Sequence, residues 1–148
     1  MDAVASMSDN DRAKAEIQIG NVIAEMKDVA ELIDRFGRDN GLPPAVTNDV
    51  NLCLDEILNN TISYGYADNG RHTIRVKISI EDTMLVVNME DDARPFDVRR
   101  SMAPDVAGDL HGRKLGGVGI HFVKSLMDTV DYARSGGHNC LTLRKKIT

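Results

Sequence analysis

The sequence predicts an α+β two-layer sandwich, with helices packed on one face of a mixed, mostly antiparallel sheet. Runs of period-two alternation, clearest at Ile74, Val76, Ile78 and Ile80, are followed across turn-length gaps by second apolar runs, as hairpins require. Before and between such pairs lie stretches of helical spacing, such as Val22, Met26, Val29, Ile33 and Phe36 ahead of the first. A chain of 148 residues with 42% hydrophobic content is one domain's worth and can close one core.

Taken in order, residues 1–15 are polar and without periodicity and read as a flexible arm, leaving 16–148 as a single domain. AEIQIG alternates as a strand, Asn21 is a candidate N-cap, and the helix that follows runs to Gly41, ahead of the Pro43–Pro44 breaker. A second helix is expected from about Thr47 to near Ser63, with Val50, Cys53, Leu54, Ile57 and Leu58 on its apolar side. TIRVKISI and MLVVNME, separated by Glu81-Asp82-Thr83, form a hairpin. Residues 91–116 break all periodicity, with Pro95 and Pro104 among them, and a loop of that length in a small domain is usually functional or disordered. Val118 to Met127 reads as a third helix, and TVDYARS, a GGHN turn and CLTLRKKI close the chain as a hairpin with Leu141 and Leu143 alternating.

The net charge of −5 offers no broad positive field for nucleic acid or an anionic membrane. No run approaches the roughly 18 apolar residues of a membrane span, and the first twenty residues lack a secretory h-region, so a cytoplasmic location is expected. Cys53 and Cys140 form no CxxC pair and are read as packing residues. His72, His111, His121 and His138 are scattered and receive no role.

Chemistry concentrates in three stretches. In LDEILNNTISYGY, residues 54–66, helical projection puts Glu56, Asn59, Asn60 and Ser63 on one face, opposite Val50, Leu54, Ile57 and Thr61. Asn has weak helix propensity, so two adjacent amides suggest defined partners rather than solvated filler. In DDARPFD, residues 91–97, a strand ends in carboxylates, and such a group can accept from an exocyclic amine like that of adenine. In LGGVGIHFVKSLM, residues 115–127, glycines open an amphipathic helix, whose exposed N–H groups can bind phosphate at close range. Alone, each stretch also describes a solvated helix face, an Asp-rich turn or a flexible helix start. A dinucleotide fingerprint fails because Phe122 stands where the third glycine belongs, and a Walker A loop fails because Lys114 is followed by Leu115.

Together, E-x-x-x-N on a helix, D-D-x-x-P-F-D after a strand, a long loop and G-G-x-G-I opening a helix resemble the Bergerat-fold (GHKL) ATPases. The closest resemblance is to the anti-sigma-factor serine/threonine kinases of the RsbW type. The resemblance implies Glu56 as general base, Asn60 as magnesium ligand, Asp91 as adenine-binding carboxylate, and Gly117 and Gly119 as phosphate-side glycines. It implies a nucleotide lid over 97–116, with Arg99, Arg100, Arg113 and Lys114 available to neutralise phosphate charge, and places Thr142 of the closing strand near the adenine. Ala93 stands where the family has glycine, and its methyl is expected to crowd the base and weaken ATP binding. ATP and Mg2+ are the implied cofactors. A sigma factor and a small STAS-type anti-sigma antagonist are the implied partners, and a homodimer is left open. The alternatives are a non-catalytic or weakly ATP-binding regulator of the same fold and, less favoured, a detached two-component histidine kinase catalytic domain.

Overall fold

The computed structural model describes residues 13–101 and 117–148. Strand β1 (Lys14–Gly20) leads through a 3-10 turn (Ile23–Glu25) into helix α1 (Met26–Asp39) and then α2 (Pro44–Tyr64). The hairpin of β2 (Thr73–Glu81) and β3 (Met84–Asp91) follows, then a short α3 (Val98–Ser101), α4 (Gly117–Leu126), and the hairpin of β4 (Thr129–Ser135) and β5 (His138–Lys146).

The strands form one sheet in the order β1-β2-β3-β5-β4, and every neighbouring pair is antiparallel. The expected mostly antiparallel sheet is thus antiparallel throughout, among the described residues. The chain path explains why. The two helices α1 and α2 between β1 and β2 return the chain reversed, and tight turns join β2 to β3 and β4 to β5. Strand β4 does run parallel to β3, but β5 inserts between them. The turns have the backbone that short hairpins need: Asp82 has φ +58°, and Gly136 and Gly137 have φ +58° and +80°, a pair of left-handed residues that glycine adopts without steric cost.

Alternation sorts the sheet into two faces. Ile74, Val76, Ile78, Leu85, Val87, Met89, Leu141 and Leu143 are buried against Val29, Ile33 and Phe36 of α1, Val50, Leu54, Ile57 and Leu58 of α2, and Val123 and Met127. The other face is largely polar, with Arg75 bridging Glu16 at 3.1 Å and Glu90 at 3.6 Å. Cys53 is buried in the core, where loss of hydration pushes its thiol up to about 12, consistent with a packing role. Cys140 is half-buried and belongs to the polar face.

Some boundaries move. β1 begins at Lys14, within the expected arm; residues 1–12 lie outside the described part. Asn21 is not an N-cap: Val22 precedes the 3-10 turn with no side-chain capping bond. The Asn21 amide instead donates to the Gly70 carbonyl at 3.2 Å and accepts from the His72 N–H at 2.9 Å, tying the end of β1 to the loop before β2. α2 starts at Pro44 rather than Thr47, because proline's fixed φ and missing N–H suit the first helical position. Gly41, at φ +66°, ends the α1 connection as expected. Among the described residues no helix is long and apolar enough to cross a membrane.

Candidate functional site

Helix α2 buries Val50, Cys53, Leu54, Ile57, Leu58 and Thr61, which fixes the rotation of the rest of the helix. Glu56 and Asn60, one turn apart, come out half-buried on the same side, and neither makes a side-chain hydrogen bond to another described residue. The neighbouring amide is spoken for: Asn59 is exposed and its Oδ1 accepts from the Ser63 hydroxyl at 3.1 Å.

The end of α2 meets the end of β3. Gly65 donates to the Thr61 carbonyl at 2.8 Å, and its own carbonyl accepts from the Arg94 N–H at 2.8 Å. A Cβ on Gly65 would lie 2.5 Å from the Thr61 carbonyl oxygen and 2.9 Å from the Ala93 Cβ. The Ala93 methyl is therefore packed on the bare Cα of Gly65, and Ala93 as a whole is 3% exposed. It does not stand free beside the Asp91 carboxylate, as the expectation of a crowded base required.

Asp91, 4% exposed, is the best-defined group here. Its Oδ1 accepts from the Ala93 N–H at 3.0 Å and from the Asn139 amide at 2.8 Å. Burial raises the carboxyl above its ordinary range, those two hydrogen bonds oppose the rise, the neighbouring Asp92 adds to it, and Arg134 counters it. Oδ2 makes no hydrogen bond among the described residues. Nor is it an enclosed orphan, since the one fully buried, unpartnered side-chain polar atom among them is Tyr66 Oη. One carboxylate oxygen is thus anchored, and the other has no hydrogen-bond partner among the described residues.

Sequence reasoning missed two groups at this strand end, one on the Asp91 carboxylate and one on its neighbour Asp92. Asn139, 6% exposed, pairs with Asp91 across the β3–β5 ladder. His72 places Nε2 2.8 Å from Asp68 Oδ1 and Nδ1 3.0 Å from Asp92 Oδ2, and its ring stacks on Tyr66 with centroids 4.3 Å apart. The hydrogen bonds to Asp68 and then Asp92 raise the imidazole above its ordinary value. The Tyr66 hydroxyl is also pushed up, by burial first and then by Asp91 and Asp92.

Thr142 does not join the site. It sits one residue from both Leu141 and Leu143 and so on the opposite face of β5, turned away from the helices, where its hydroxyl accepts from the Asn88 amide at 2.8 Å. Strand alternation puts Asn139, and not Thr142, on the Asp91 side. Gly117 and Gly119 lie in the first turn of α4, which packs against α2. Arg99 is held by Asp97, with Nε 2.9 Å and Nη2 2.8 Å from the two carboxylate oxygens, while Arg100 is exposed. Arg113 and Lys114, with most of the expected lid, lie outside the described residues.

The structure so brings α2 with Glu56 and Asn60, the Asp91–Ala93 turn and the glycine-started α4 into one helix-side layer. Residues 21–145 match the histidine kinase-like ATPase domain, and the chain belongs to that family. It is 29% identical over 94 residues to the serine/threonine-protein kinase BtrW of Bordetella bronchiseptica, a match spanning 62% of this chain and 65% of BtrW. The crystal structure of the RsbU and RsbW domains of Rv1364c from Mycobacterium tuberculosis superposes with a TM-score of 0.62 at 13% identity, covering 90% of this chain and 32% of that one. Family and fold therefore agree with the resemblance carried by the three motifs. The residues present suit an adenine nucleotide: a carboxylate oxygen of Asp91 for an exocyclic amine, and a carboxylate and an amide on α2, none of them with a partner among the described residues.

Proposed function

We propose that this chain is an ATP-dependent protein serine/threonine kinase of the anti-sigma type, which phosphorylates a small STAS-type antagonist and binds a sigma factor in the cytoplasm. The observation that carries the reading is the pair Glu56 and Asn60, half-buried one turn apart and without partners among the described residues, on the helix whose end abuts the Asp91 turn. Bound Mg-ATP would supply the phosphoryl group and the cation that neutralises it.

The chain's own residues divide the remaining work. Asp91 Oδ2 accepts from the adenine amine. Asn60 offers one neutral oxygen to magnesium, an ion that keeps several waters and takes phosphate oxygens for the rest of its shell. No three His, Cys, Asp or Glu side chains among the described residues converge as a metal group. Glu56 takes the proton from the attacking serine hydroxyl, the role that positions a nucleophile in phosphoryl transfer. Gly117 and Gly119 let the first N–H groups of α4 approach phosphate. The likeness to a named serine/threonine-protein kinase supports this assignment over a histidine kinase domain.

The test is equilibrium binding of ATP with and without Mg2+, for the wild type and Asn60→Ala, followed by transfer of labelled phosphate to a purified STAS-domain antagonist. Magnesium-dependent binding that Asn60→Ala weakens, with label on serine, is the expected result. Absence of ATP binding at millimolar concentration would leave a non-catalytic regulator of this fold.

A further inference from the structure

Asn139 uses every hydrogen-bonding position of its amide. Nδ2 donates to Asp91 Oδ1 at 2.8 Å, to the Arg94 carbonyl at 3.0 Å and to the Ala93 carbonyl at 3.3 Å. Oδ1 accepts from the Tyr132 hydroxyl, from Arg134 Nη1 at 3.1 Å and from the Phe96 N–H at 3.4 Å. The amide's orientation follows from these neighbours, because a flip would turn its NH2 toward the guanidinium and its oxygen toward a carboxylate and two carbonyls. Arg134 reinforces the arrangement by donating from the same Nη1 to the Ala93 carbonyl at 2.7 Å. The turn that carries Asp91 is thus gripped from the β4–β5 hairpin rather than held by its own backbone alone.

We infer that Asn139 is a positioning residue for nucleobase recognition: by pinning Asp91 Oδ1 it leaves Oδ2 as an ionised, oriented acceptor that selects an exocyclic amine over a carbonyl oxygen. The inference rests on the nucleotide-binding reading above and adds the residue that sets its selectivity. Asn139 itself does not touch the base. Its leverage comes from the burial of Asp91: a carboxylate out of water remains ionised only if hydrogen bonds replace the water it lost, and Asn139 supplies one of the two at Oδ1. The other charged or titratable groups around Asp91 are Asp92 on the strand exit, itself paired with His72, Arg134 on β4, and Tyr66 on the loop after α2. Only Arg134 among them favours the ionised form. A protonated Asp91 would present a hydroxyl, which can donate to a carbonyl, and adenine would lose its advantage.

The informative variant is Asn139→Asp, which preserves shape and the acceptor toward Tyr132, Arg134 and Phe96 while replacing the donors to Asp91 with a second carboxylate. Asn139→Ser, which keeps one donor, serves if that variant does not fold. Two quantities are read: the midpoint of the Asp91 carboxyl titration by carbon NMR, assigned with Asp91→Asn, and the affinity ratio of Mg-ADP to Mg-IDP, whose hypoxanthine carries an oxygen where adenine carries the amine. In the wild type ADP should win by at least about tenfold, the scale of one hydrogen bond to a charged acceptor. Asn139→Asp should raise the midpoint and shrink the ratio toward one, and Asn139→Ser should fall between it and the wild type. A folded variant with midpoint and ratio both unmoved overturns the inference, since a purely structural amide would lower thermal stability and nothing else. If the wild type binds neither nucleotide, the nucleotide reading fails and the selectivity with it, and the NMR midpoint then decides whether Asn139 governs Asp91 at all.

Discussion

Replacing Asp91 with Asn separates binding from stability. In Asp91→Asn the amide oxygen can keep both bonds that Oδ1 accepts, from Asn139 at 2.8 Å and from the Ala93 N–H at 3.0 Å, while an NH2 group takes the place of Oδ2. No hydrogen bond among the described residues is lost, and a charge in a site 4% exposed disappears. Burial raises the wild-type carboxyl, so its ionised form costs stability at neutral pH. The nucleotide-free variant should be as stable as the wild type or more stable by up to about 1 kcal/mol, which for a chain of this size is a rise of roughly 2–4 °C in Tm. Adenine then meets a donor where it needs an acceptor, and loss of a hydrogen bond to a charged group, ~1.5–3 kcal/mol, weakens ATP by about 10- to 100-fold. The pH dependence has a definite sign. A folded-state value above the unfolded one means that the wild type regains stability as pH falls through it, so the Tm advantage of Asp91→Asn should shrink on acidification. Differential scanning fluorimetry across pH 5 to 8, with isothermal titration of Mg-ATP, measures both effects. A variant several degrees less stable at neutral pH that binds ATP as well as the wild type would refute the reasoning.

Glu56→Gln should retain Mg-ATP binding and lose phosphoryl transfer to a serine-bearing partner, measured by single-turnover labelling; retained transfer would remove Glu56 as the base. Ala93→Gly should leave ATP affinity unchanged and cost about 1 kcal/mol of stability, since the methyl packs on Gly65 and glycine adds backbone freedom, and tighter ATP binding would restore the idea of a crowded base. Gly65→Ala should be worse, about 1–3 kcal/mol by urea unfolding, because its Cβ would sit 2.5 Å from the Thr61 carbonyl oxygen. His72, raised above its ordinary value by Asp68 and Asp92, contributes stability that is fully present below that ordinary value and is lost as pH climbs through the raised one. A Tm series over that interval should slope downward in the wild type and flatten in His72→Ala; identical slopes would dismiss the ion pairs as inert.

The sheet, its hairpins and α1 were legible because each rests on local periodicity: Ile74 to Ile80 alternate, and Val29, Ile33 and Phe36 recur at helical spacing. The three motifs were legible for the same reason, as each is contiguous in the chain. What escaped depends on residues far apart meeting. His72 finds Asp92 only because the loop before β2 folds against the exit of β3, and Asn21 serves that loop rather than a helix because the end of β1 lies beside it. The error at Thr142 is different, since its correction was already present in the sequence: if Leu141 and Leu143 face the core, Thr142 cannot, and the polar residue in phase with them is Asn139. The register that sets Asn139 opposite Asp91 could not be read from either strand alone.

The two cysteines sit on opposite sides of the sheet's division between core and solvent, and that gives the protein a built-in clock. A thiol reagent can reach Cys140 on the polar face of β5 while the domain is folded, one residue from the amide that grips Asp91. Cys53, enclosed within α2 with its thiol pushed up to about 12, offers almost no thiolate until the helices part from the sheet. Under conditions where opening is rare, the first modification counts molecules and the second counts openings, so the rate of the slow step reports how often α2 leaves its seat. Because the same helix carries Glu56 and Asn60, any ligand that they hold should slow that second reaction without touching the first.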